Sequence, residues 1–66
     1  MEDRYIELNT FLKINGLAST GGQAKLLIRS GAVLVNGEQE TRNKRKLHSG
    51  DKVGCNGKTY IVNSDI

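Results

Sequence analysis

Cysteine and histidine each occur once in this chain, as Cys55 and His48. A lone thiol forms no internal disulfide, so the fold is not a disulfide-stapled secreted scaffold, and this usage fits a reducing cytoplasm. Neither residue has a second ligand at zinc-type spacing, so no metal and no cofactor are expected. Cys55 has no base partner and reads as a small strand residue rather than a nucleophile. Aromatic rings are scarce too: Tyr5, Phe11 and Tyr60. Phe11 is assigned to the core, which leaves no aromatic platform of the kind that stacks single-stranded bases. No apolar run approaches the roughly 20 residues that cross a bilayer, so no membrane partner is expected. The acidic opening "MEDRYIELN" matches neither a signal peptide nor a transit peptide. No acid–base pair, nucleophile–base pair or metal cluster can be assembled, so the chain is expected not to be an enzyme and to have no small-molecule substrate.

What is present suffices for one small domain, 1–66, with its core over about 5–62. A domain this small buries a modest fraction of its surface and is marginally stable. The formal charge of +3 is unevenly spread. Residues 1–40 carry four basic against five acidic side chains, a net of −1, whereas residues 41–66 carry six against two, a net of +4. A local basic field suggests nucleic acid or another anionic surface.

The periodicity divides the chain in two. Leu8, Phe11 and Leu12 share one helical face, and Asn15-Gly16 is a stop signal. The spacing predicts a helix over about Leu8 to Ile14, preceded by Tyr5 and Ile6 as a short strand or docking segment. Thr20 and Gln23 have capping-box spacing: the Thr20 hydroxyl accepts from the Gln23 amide, and the Gln23 side chain returns to the cap. Ala24, Leu27 and Ile28 then form an apolar stripe with Leu26 at its edge, giving a second helix over about Gly21 to Ser30, closed by Gly31. Alternation takes over at Val33 and Val35, followed by Asn36-Gly37, and again at Val53 and Cys55, followed by Asn56-Gly57 and then Tyr60 and Val62. Asn-Gly is the strongest short hairpin signal. Ser49-Gly50-Asp51 reads as a turn, with the Asp51 carboxylate bonding backbone amides of that turn. The expected fold class is α+β, two short N-terminal helices packed on a small antiparallel sheet of about four strands.

Between the hairpins lies "ETRNKRKLHSGDK", in which Arg42, Lys44, Arg45 and Lys46 are basic and Leu47 is the one large apolar residue. A charge run is usually a solvated face. This one is short, bounded by strand signals, set apart from acidic residues and anchored by Leu47. It therefore reads as a tethered basic loop or strand suited to phosphate contact, which needs clustered charge rather than strict register. Lys25 and Arg29, at i and i+4, share a helix face with Gly21 and Gly22 at the helix start. Exposed amides and the helix dipole favour an anion there, and two glycines let one approach; ordinary N-capping explains the same residues.

The order "LNTFLKINGLAST", "GGQAKLLIRSG", "AVLVNGEQE" and "KLHSGDKV" resembles the alpha-L RNA-binding motif, the small domain named after the ribosomal protein S-four, in particular its stand-alone bacterial YbcJ/YaaA-type members. The resemblance spans about residues 5 to 62 and is most specific in "LIRSGAVLVNG" and "SGDKV". It implies a domain that binds structured RNA, with ribosomal RNA or a ribosomal subunit as partner, through one electropositive face. Matched by position, the implied RNA-binding residues are Ser19, Thr20, Gln23, Lys25, Arg29, Ser30 and Asn36. To these the basic run adds Arg42, Lys44, Arg45 and Lys46, and the helix start adds Gly21 and Gly22. Many relatives carry arginine where this chain has Gly22, which removes one phosphate contact. A cytoplasmic monomer is expected. Two other readings stay open: a protein-interaction module docking through its sheet edge, and a DNA binder using the helix pair, although Gly21 and Gly22 stand where base-reading side chains would be needed.

Overall fold

The computed structural model describes residues 4–63. The acidic opening Met1 to Asp3 lies outside the described residues. The chain runs β1 (Ile6–Glu7), α1 (Leu8–Ile14), α2 (Gly21–Arg29), β2 (Val33–Val35), β3 (Glu38–Gln39), β4 (Lys46–Leu47), β5 (Lys52–Cys55) and β6 (Lys58–Ile61). The α+β expectation holds: two helices pack on an antiparallel sheet of four strands in the order β3-β2-β5-β6. A separate two-stranded sheet pairs β1 with β4, placing Ile6 opposite Leu47 and Glu7 opposite Lys46. The segment at Tyr5 and Ile6 thus enters a strand at Ile6 and holds the basic stretch in place.

Both helices form where the apolar spacing puts them. Leu8, Phe11 and Leu12 from α1 and Ala24 and Ile28 from α2 are buried against Val33, Val35, Val53, Cys55 and Val62. Leu27 and Tyr60 are partly buried at the margin of this core. Leu26 is not at the edge of the stripe but 72% exposed, because i+2 from Ala24 turns it away from the core. The second helix ends at Arg29, with Ser30 as its C-cap. Gly31 follows at φ +85°, a left-handed conformation that glycine adopts without strain. Its carbonyl accepts from Gln39 Nε2 at 3.0 Å, tying β3 to the end of α2.

Each Asn-Gly pair makes the expected hairpin turn. Asn36 and Gly37 have φ of 53° and 86°, and Asn56 and Gly57 have φ of 55° and 78°. Two successive positive φ values match the twist of antiparallel strands. Asp51 bonds its own turn as expected, its Oδ2 accepting from the His48 amide at 2.8 Å.

Candidate nucleic-acid interface

The basic stretch begins with a surprise in its charge balance. Glu40 is buried at 6% exposure, and its carboxylate gathers both arginines of the run. Arg42 Nε donates to Oε2 at 2.9 Å, Arg42 Nη2 to Oε1 at 3.2 Å, and Arg45 Nη1 to Oε1 at 2.6 Å. The Arg42 amide also donates to Oε2 at 2.9 Å. The expectation that this run stands apart from acidic residues is therefore corrected. Glu40 lies two residues before Arg42, where the chain turns inward after β3. The bonds from Arg42, joined by Arg45, outweigh desolvation and hold the Glu40 carboxyl down at about 2, against an ordinary 4.5. Charge-assisted, near-bidentate geometry of this kind fixes the guanidinium planes as well as neutralising the acid.

The loop's backbone is fixed too. Residues Arg42 to Arg45 form a turn, the Arg45 amide donating to the Arg42 carbonyl at 3.3 Å. Its carbonyls then cap α1, whose N-cap, Glu7, makes no side-chain capping bond. Leu8 N donates to Arg45 O at 2.9 Å, and Asn9 N to Asn43 O at 3.2 Å. Helix amides that otherwise lack acceptors are thereby satisfied by the loop. With Leu47 fully buried beyond it, the loop is held by Glu40, by α1 and by the core. What it presents outward is cationic: Arg42, Lys44, Arg45 and Lys46 together line one open cleft of about 440 Å³. The Arg42 side chain stays 73% exposed and that of Arg45 32% while both are bonded to Glu40.

The start of α2 is arranged differently. Thr20 is the N-cap, its hydroxyl accepting from the Gln23 amide at 3.1 Å. The Gln23 side chain returns not to Thr20 but one residue earlier, Oε1 accepting from the Ser19 amide at 2.8 Å. Ser19, Thr20 and Gln23 are thus engaged in capping. Gly21 and Gly22, in the first turn, have amides without intrahelical acceptors; a Cβ at Gly21 would meet nothing within 4 Å and one at Gly22 only Thr20 Oγ1 at 3.8 Å. Gly22, Lys25, Leu26 and Arg29 follow on one exposed stripe by helical spacing, so an apolar side chain interrupts the cations. None of these residues lines the loop's cleft.

Two further expected contacts are bound within the protein. The Ser30 hydroxyl donates to Leu27 O at 2.8 Å. Both side-chain atoms of Asn36 are used across the sheet: Oδ1 accepts from the Lys52 amide at 3.0 Å, and Nδ2 donates to Asp51 Oδ1 at 3.2 Å. Bonds from the His48 amide and Asn36, against the cost of burial, keep the Asp51 carboxyl below its ordinary range. Cys55 faces the core, and burial pushes its thiol up, away from the reactive thiolate.

One arrangement was not anticipated from the sequence. Tyr5 and His48 come together with ring centroids 6.4 Å apart and planes tilted by 57°. Lys46 Nζ stands 4.8 Å from the centre of the Tyr5 ring. A small aromatic cluster therefore adjoins the cleft, built from rings 43 positions apart in the sequence. No local pattern announces it: the β1–β4 register, continued by one residue, sets Tyr5 opposite His48.

A helix pair on a β3-β2-β5-β6 sheet, with a cationic loop capping the first helix, defines a small α+β domain of the alpha-L type. The chain belongs to the S4 domain family, whose model matches residues 1–63. It is 40% identical over 58 residues to a protein of Escherichia coli (strain K12) described as "Putative RNA-binding protein YbcJ", covering 88% of this chain and 83% of that one. It is 39% identical over 57 residues to "Probable ribosome maturation protein RlbA" of Bacillus subtilis (strain 168), covering 86% and 80% respectively.

Proposed function

We propose that this domain is a non-catalytic binder of structured RNA, with ribosomal RNA or a ribosomal subunit as its target, and that it acts as a cytoplasmic monomer. The observation that carries this reading is the convergence of four cationic side chains on one cleft whose backbone is hydrogen-bonded to α1. A phosphate backbone is recognised by clustered, pre-placed positive charge, and each neutralised phosphate releases counterions. Arginines already aligned by Glu40 offer planar donors to phosphate oxygens with less rotamer freedom to lose. The relatives' descriptions, one as RNA-binding and one as ribosome maturation, support RNA as the polyanion and the ribosome as its setting.

Sedimentation with purified ribosomal subunits tests the reading. The protein is expected to travel with a subunit at low salt and to be released by moderate salt. Replacing Lys44 and Lys46 by glutamine is expected to weaken this association. Capture of protein partners that survives both nuclease and moderate salt, with no association to RNA, would instead make the chain a protein-interaction module.

A further inference from the structure

The aromatic cluster beside the cleft has a chemistry that phosphate binding does not use. In the β1–β4 pair, Ile6 and Leu47 turn toward the core, so Tyr5, Glu7, Lys46 and His48 lie on the opposite face. Tyr5 is 42% exposed, and His48 is exposed beside it. Lys46 belongs to both places: its ammonium stands over the Tyr5 ring, and its side chain lines the basic cleft. Glu7, half-buried, is the acidic member of this face, and the Asp51 carboxylate lies behind His48, bonded to its amide.

We propose that Tyr5 and His48 form a subsite for one unpaired nucleobase, whose own phosphate is held by Lys46 and the neighbouring cleft. This rests on the RNA-binding reading and specifies what the RNA must present. A nucleotide couples a π-face to an anion. Here two solvent-exposed ring residues in contact, and a cation standing over one of them, adjoin the basic cleft. Bases inside a duplex are stacked on one another and cannot reach a ring on the protein surface, so the occupant is a bulged, looped or terminal base. The phenol and imidazole planes, inclined at 57°, leave the base to stack on one ring and meet the edge of the other. Lys46 then moves from the phenol face to the phosphate, exchanging a cation–π contact for an ion pair.

Two RNA probes test this: a fully paired hairpin stem closed by a tight loop, and the same stem carrying a single bulged 2-aminopurine. The wild-type protein is expected to bind the bulged stem about 5- to 150-fold more tightly, the range that one stacked base contributes, and to quench the 2-aminopurine fluorescence. Tyr5→Ala and His48→Ala, each at an exposed position, are expected to lower affinity for the bulged stem toward that of the plain stem. Both should change plain-stem affinity far less than bulged-stem affinity, and Tyr5→Phe should retain the preference. Equal wild-type affinity for the two stems overturns the subsite, as does a loss in Tyr5→Ala that is the same for both. Failure to bind either stem overturns the RNA-binding reading itself, and the subsite with it.

Discussion

The Arg42–Lys46 loop and the α2 helix are both basic in sequence, yet they are built on opposite plans. In the loop, a buried carboxylate draws two guanidiniums together, and the backbone between them caps a helix. The charges are pre-placed and converge on a single cleft. In α2, Lys25 and Arg29 stand on an exposed stripe that also carries Leu26, and the side chains at the helix start are spent on capping. The four cations of the loop and the two of α2 thus differ in arrangement as well as in number. What distinguishes them is Glu40, which a charge count scores as a loss.

The strongest way to break this contrast is to remove the loop's arginines. Replacing Arg42 and Arg45 together by glutamine strands a buried carboxylate, which costs more than removing both partners. The melting temperature of that double variant should fall further than that of Glu40→Gln alone, and adding Glu40→Gln to it should restore part of the loss. The Lys25→Gln/Arg29→Gln pair should leave the melting temperature nearly unchanged.

Glu40→Gln alone should cost about 2 kcal/mol in chemical denaturation, the scale of hydrogen bonds to a charged group. Its pH dependence gives an independent check. A carboxyl held at about 2 rather than 4.5 contributes stability above pH 4.5 that is lost as pH falls toward 2. The wild-type protein should thus lose stability across that window, and Glu40→Gln should flatten this part of the curve.

Smaller effects separate structure from binding. Asn36→Ala removes two side-chain bonds and leaves a positive φ to alanine, so it should lower stability by about 1–2 kcal/mol without altering the salt dependence of RNA binding. Asn36→Gly relieves the backbone part and should recover some of that loss. Gly22→Arg is the smallest change and the one gain. A Cβ there would lie 3.8 Å from Thr20 Oγ1 and otherwise meet open space. It should leave the fold intact and, like the Lys25 and Arg29 charges on the same stripe, steepen the salt dependence by less than half of one phosphate contact, roughly 0.4 or less.

The contrast also marks what was legible in the sequence. Local signals were reliable. The stripe at Leu8, Phe11 and Leu12, the Thr20 cap, both Asn-Gly turns and the anchor at Leu47 all stand where spacing put them. The features that escaped depend on contacts between distant segments or on a side chain's choice among nearby partners. Gln23 passes over Thr20 to reach the Ser19 amide, a choice that capping-box spacing does not specify. Asn36 turns its amide across the sheet to Asp51 and Lys52, 15 and 16 positions away, which no local pattern announces. Glu40 is charged, yet buried by a turn that periodicity does not register. Tyr5 and His48 meet because β1 pairs with β4, two strands of two residues each, too short to show alternation.

The most direct test of the central claim compares two pairs of charges. Lys44→Gln/Lys46→Gln leaves the Glu40 cluster whole, and Lys25→Gln/Arg29→Gln removes the same number of charges from α2. Binding of each variant to a ribosomal RNA fragment should be measured across a series of salt concentrations. The loop pair is expected to reduce the slope of log affinity on log salt by roughly 1.4–1.8, two phosphate contacts, and the helix pair by less than half as much. An unchanged slope for the loop pair, or an equal or larger reduction for the helix pair, would contradict the account.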